Sequence, residues 1–66
     1  MTAIAKRRTV LVVEDDADLL GMLRATLELA GYGVEGAADG LVALQEVRRS
    51  TPDLVILDLN LSLIHI

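Results

Sequence analysis

Two unbroken apolar runs, Thr9 to Val13 and Leu54 to Leu57, each end directly in acids: Glu14-Asp15-Asp16 after the first and Asp58 after the second. A run of aliphatic residues without polar alternation reads as a strand covered on both faces, the condition of a parallel sheet sandwiched by helices. Few folds place two such strands in so short a chain. The segments between the runs decide which one.

Leu19, Leu20, Leu23, Leu27 and Ala30 recur at three- and four-residue spacing and predict a helix with one apolar stripe. Asp16 or Asp18 can cap its start and Gly31 can end it, while Gly21 weakens its interior. Tyr32 to Ala37 predicts a short strand around Val34. Asp39-Gly40 opens a second helix, with Leu41, Leu44 and Val47 expected inward and Arg48-Arg49 favouring the dipole at its end. Pro52-Asp53 separates this helix from the last strand. The order strand–helix–strand–helix–strand is that of an α/β fold with parallel pairing.

The acids then acquire meaning from topology. In open α/β sheets, ligands sit beyond the carboxyl ends of the strands, where strand order reverses. Right-handed crossovers and cover on both faces favour the spatial order 2-1-3 over 1-2-3. The first and third strands then lie side by side, and Glu14, Asp15 and Asp58 converge. Three carboxylates repel one another unless a cation joins them, and Mg²⁺ suits an all-oxygen set of carboxylates, waters and phosphate oxygens. The backbone carbonyl of Asn60 is placed to add a ligand. A carboxylate held there can attack phosphorus to form an acyl phosphate, and Asp58, alone at its strand end, is the candidate nucleophile. Asp16 and Asp39 are better explained as helix caps.

Composition removes other classes. With 53% hydrophobic residues the chain is no disordered tail, and one aromatic, Tyr32, leaves no stacking platform for single-stranded nucleic acid. A net charge of −4 also opposes a nucleic-acid surface, and Lys6-Arg7-Arg8 reads as a solvated basic leader over residues 1–8. The run before the first acids is too short for a signal-peptide core, and Leu54 to Ile66 is too short and too interrupted to span a bilayer. The cytoplasm is the expected compartment, with no membrane contact. Sixty-six residues allow one domain at most, and a chain of that size buries only ~60% of the surface its unfolded form exposes. Without cysteine, and with a single His, neither disulfides nor a metal cage can compensate, so part of a larger unit is expected to be missing.

Val10-Leu-Val-Val-Glu-Asp-Asp16, Leu29-Ala-Gly-Tyr32, Ala37-Ala-Asp-Gly40, Ala43-Leu44 and Pro52-Asp-Leu-Val-Ile-Leu-Asp-Leu-Asn-Leu61 together resemble the receiver domain of two-component response regulators. The resemblance runs from about residue 9 to residue 61 and covers the N-terminal half of that domain. It implies a flavodoxin-like parallel sheet of order 2-1-3-4-5, represented here by the first three strands and two helices. It further implies that Asp58 accepts a phosphoryl group from a histidine kinase or phosphotransfer protein. Glu14, Asp15 and Asp58 would hold Mg²⁺ with the Asn60 carbonyl; an alternative register uses Asp15 and Asp16. Such a module is a phospho-acceptor in signalling rather than an enzyme.

The chain departs from the family pattern after Leu61. Ser62 to Ile66 looks foreign, and His65 reads as a residue of that tail rather than a ligand. Strands 4 and 5, the switch Ser/Thr, the phosphate-contacting Lys and any output domain are not found in these residues. The third strand is therefore expected to be a bare hydrophobic edge, prone to association. A truncated fragment without phosphotransfer competence, or an interaction-only segment, is the alternative function. Two enzyme classes fit less well. A dinucleotide-binding enzyme needs a Gly-rich turn where Glu14-Asp15-Asp16 stands. Phosphatases with a nucleophilic Asp after a strand tend to carry a second Asp two positions on, where this chain has Asn60.

Overall fold

The computed structural model describes residues 7–57; Asp58, Asn60 and the 62–66 tail lie outside the described residues, as does Lys6. Five elements follow in order: β1 (Thr9–Val13), α1 (Ala17–Leu29), β2 (Gly33–Ala37), α2 (Gly40–Arg49) and β3 (Leu54–Leu57). The three strands form one parallel sheet of order β2-β1-β3. This is the expected 2-1-3 arrangement and the start of a flavodoxin-like fold.

Local sequence explains where each helix begins and ends. Asp16, extended at φ −83° and ψ 112°, accepts the N–H groups of Asp18 and Leu19 on Oδ1 and caps α1. Gly31 at φ +100° ends that helix, in the left-handed region that a residue without Cβ enters freely. Asp39 caps α2 by accepting the Val42 N–H at 2.9 Å. Arg48 and Arg49 occupy the last turn of α2, where positive charge meets the carbonyl end of the helix.

β1 is the centre of the sheet and the core of the molecule. Val10, Leu11, Val12 and Val13 are all buried. Register gives the two faces their identities. Val13 pairs with Ala37 of β2, and Leu11, Val13 and Ala37 form one cluster on which Val42, Ala43 and Val47 of α2 pack. Val12 pairs with Gly36, and a Cβ built there would meet the Leu20 methyls and Arg24 of α1 at 3.0–3.2 Å. Because side chains alternate along a strand, α2 covers one face and α1 the other.

Three expectations need correction. Leu41 and Leu44 do not point inward: they are 67% and 51% exposed, and the packed side of α2 is Val42, Ala43 and Val47. At 100° per residue these three span one side of the helix, while Leu41 and Leu44 fall on the other. The second correction concerns β3, which is not covered on both faces. Leu54, Val55 and Leu57 are exposed, since neither helix packs on β3 among the described residues. Ala30 is likewise exposed, serving as the C-terminal cap of α1 rather than as part of its apolar stripe.

No helix among the described residues is long and apolar enough to cross a membrane.

Candidate functional site

The carboxyl ends of β1 and β3 lie side by side because Val13 and Leu57 are register partners. Glu14 follows Val13 directly, and its backbone N–H continues the ladder by donating to the Ala37 carbonyl at 2.9 Å. That bond ties the first acid to the sheet. The Glu14 side chain is buried, at 2% exposure, and its Oε2 accepts the backbone N–H of Asp16 at 3.0 Å. Asp15 is exposed. Two neighbouring acids thus stand at the rim of the sheet in different settings, one fixed and one solvated.

Asp16 has a separate task. Its Oδ1 is already engaged by two N–H groups at the start of α1, as expected of a cap. Asp39, the other acid read as a cap, fills that role at α2. Asp58 and Asn60 belong to the expected site but lie outside the described residues.

The donor chemistry fits Mg²⁺. Glu14 and Asp15 offer hard carboxylate oxygens, and among the described residues no thiolate or imidazole accompanies them, a donor set that suits a hard cation better than zinc or copper. Among the described residues no three acidic, His or Cys side chains assemble into a metal cage. Among the described residues the rim thus presents two neighbouring carboxylates, Glu14 and Asp15.

Charge elsewhere does structural work. Arg49 bridges Glu46, three residues before it, and Glu35 of β2 at 3.3 Å, tying the end of α2 to the sheet. Hydrogen bonding from Arg49 is the main cause holding the Glu46 carboxyl below its ordinary value, and the same pairing raises Arg49. At the opposite end of the sheet, Arg8, Thr9, Val10, Tyr32, Asp53 and Leu54 line an open depression of about 250 Å³. Sequence reading assigned Asp53 only to a helix break. In the structure its carboxylate accepts the Thr9 N–H at 2.8 Å. An acid next to a proline just before a strand is the one signal that could have suggested such a clasp.

Comparison with known proteins agrees with this geometry. The family model of the response regulator receiver domain matches residues 10–65. The chain is 44% identical over 52 residues to the transcriptional regulatory protein PrrA of Mycobacterium tuberculosis (strain ATCC 25618 / H37Rv), a match covering 79% of this chain and 22% of that protein. It is 47% identical over 55 residues to the DNA-binding response regulator MtrA of the same strain, covering 83% of this chain and 24% of that one. The chain thus spans about a quarter of the length of the curated relatives it matches. No solved structure matches it. With a parallel 2-1-3 sheet, an acidic rim after β1 and a family match over most of its length, the chain belongs to the receiver domain family of response regulators.

Proposed function

We propose that this chain carries the phosphoryl-accepting site of a two-component receiver, with Asp58 as acceptor and a histidine kinase or phosphotransfer protein as donor. The observation that supports this most is the pairing of Val13 with Leu57. Glu14 and Asp58 are the residues that follow those partners, and neighbouring strands lie only about 4.8 Å apart. Carboxylates leaving adjacent strand ends are close enough to share one cation.

In this reading Glu14, Asp15 and Asp58 hold Mg²⁺ together with the Asn60 carbonyl. The ion, when bound, offsets the negative charge of the phosphoryl oxygens as they approach three carboxylates. An Asp58 carboxylate oxygen attacks phosphorus and forms the new O–P bond. The P–N bond of the donor phosphohistidine breaks, and the ring nitrogen keeps the electron pair. Asp58 is consumed once per transfer, so the module is an acceptor in signalling rather than a turnover enzyme. In this reading residues 9–61 make up the receiver portion and residues 1–8 a basic leader.

A second reading has an observation of its own. The exposure of Leu54, Val55 and Leu57 leaves β3 without cover among the described residues, which favours a fragment whose site does not complete transfer. Intact mass after incubation with Mg²⁺ and a small phosphoryl donor separates the two. One phosphate adduct, absent in Asp58→Asn, supports transfer. An unmodified chain from a soluble, folded sample rejects competence and leaves Asp58 as an inherited site.

A further inference from the structure

Asp16 makes contacts through two different groups that act in opposite directions along the chain, one on α1 and one on the acidic rim. Its side-chain Oδ1 reaches forward and accepts the N–H groups of Asp18 at 2.9 Å and Leu19 at 3.1 Å. Its backbone N–H reaches back and donates to Glu14 Oε2 at 3.0 Å. One residue is therefore pinned to the first turn of α1 by its side chain while its main chain holds a buried carboxylate.

We propose that Asp16 is a positioning residue for the cation site: by anchoring to α1 it fixes the direction of its own N–H, and that N–H fixes the Glu14 carboxylate. The proposal rests on the reading of Glu14 as a Mg²⁺ ligand. It goes beyond helix capping, because Asp39 caps α2 in the same way without bonding any rim acid. Glu14 is clamped at its other end as well, since its backbone N–H is bound to Ala37. The Glu14 side chain is buried, and the Asp16 N–H is one of the groups that hold its carboxylate in place. A ligand restrained before the ion arrives loses less entropy on binding, and partners that orient metal ligands are often worth tenfold or more in affinity.

Three substitutions separate this role from charge and from simple capping. Asp16→Gly keeps a residue tolerated at the start of a helix, so stability changes little, yet removes the anchor that aims the N–H. Asp16→Asn removes the charge and keeps an acceptor oxygen. Asp39→Ala removes a cap remote from Glu14 and reports what capping loss alone does.

The test is Mg²⁺ affinity of the full chain, read from amide chemical-shift titration, alongside urea denaturation of each variant. We expect Asp16→Gly to bind about tenfold more weakly at near-unchanged stability, while Asp16→Asn and Asp39→Ala stay within about threefold of the parent. Equal affinity in Asp16→Gly and the parent overturns the proposal, as does an equal loss in Asp16→Gly and Asp16→Asn, which would make the effect one of charge. A parent chain that folds but binds no Mg²⁺ fails differently: it rejects the cation site itself, and the positioning role falls with it.

Discussion

Thr9 and Asp53 hold each other twice. The Thr9 N–H donates to Asp53 Oδ2 at 2.8 Å, and the Asp53 N–H donates to the Thr9 carbonyl at 2.8 Å. This two-way clasp lies one residue before the Val10–Leu54 pair, where the β1–β3 register begins. The same register ends at Val13 and Leu57, beside Glu14. A contact at one end of the sheet therefore helps align the acids at the other.

Asp53→Ala leaves the Thr9 N–H without its side-chain acceptor and should destabilise the chain by about 1 kcal/mol. Asp53→Asn keeps an acceptor oxygen and should cost less than half of that. Urea denaturation gives both values, and the Thr9 amide should exchange faster in the alanine variant. Equal midpoints for Ala and the parent would show that the clasp contributes nothing.

Two glycines should respond with opposite signs. Gly36 lies under α1, where an added Cβ meets Leu20 and Arg24 at 3.0–3.2 Å, so Gly36→Val should destabilise by about 1–3 kcal/mol through overpacking. Nothing lies within 4 Å of a Cβ at Gly21, which sits inside α1. Gly21→Ala should stabilise by about 0.5–1 kcal/mol. Thermal or chemical unfolding of the pair decides whether α1 seats as described.

Acid should weaken the tie between α2 and β2. The Glu46 carboxyl is held below its ordinary value of 4.5 mainly by the hydrogen bond from Arg49. A folded-state value below the unfolded one means stability that is present above about pH 4.5 and lost as pH falls through the lowered value. Arg49 is raised above its already high ordinary value by the Glu46 hydrogen bond, so its contribution is present over the whole accessible pH range and does not vary there. The stability difference between the parent and Arg49→Gln should therefore shrink as pH falls below 4.5, and salt should shrink it at neutral pH. A difference that stays constant from pH 7 to pH 3 would contradict this.

The edge strand should govern association. Leu54 is 56% exposed on a strand with no further partner among the described residues. A charge there blunts edge-to-edge pairing, so Leu54→Lys should lower self-association in sedimentation velocity while the denaturation midpoint changes little. Unchanged association would direct attention to the exposed Leu41 and Leu44 of α2 instead.

Part of this architecture was legible because neighbours along the chain determine it. The caps Asp16 and Asp39, the terminator Gly31 and the bounds of β1 follow from residues within a few positions of each other. The strand order was legible for another reason. A continuous apolar run such as β1 needs helices on both faces, and right-handed crossovers leave one arrangement that places it centrally between them. The placement of Glu14 at the end of the central strand came with that order.

Other features depended on surfaces that meet only after folding. Spacing along α2 could not distinguish Leu41 and Leu44 from Val42, Ala43 and Val47 as the packed side, because both sets are apolar and the choice depends on how the helix packs against Leu11 and Val13. The Thr9–Asp53 clasp joins residues 44 positions apart, and the acid beside Pro52 does not by itself say which distant N–H it will hold. Hydropathy alone likewise gave β3 the character of a buried strand, whereas its exposure depends on which elements lie beside it. The sequence by itself determined the helix ends, the sheet order and the position of Glu14 after β1, since short-range capping and the need to cover apolar strands are properties of the chain. Only the tertiary structure decided which side of α2 faces the core, how Asp16 reaches both α1 and Glu14, and where the register is clasped, because those depend on distances that exist only once the sheet and helices have packed.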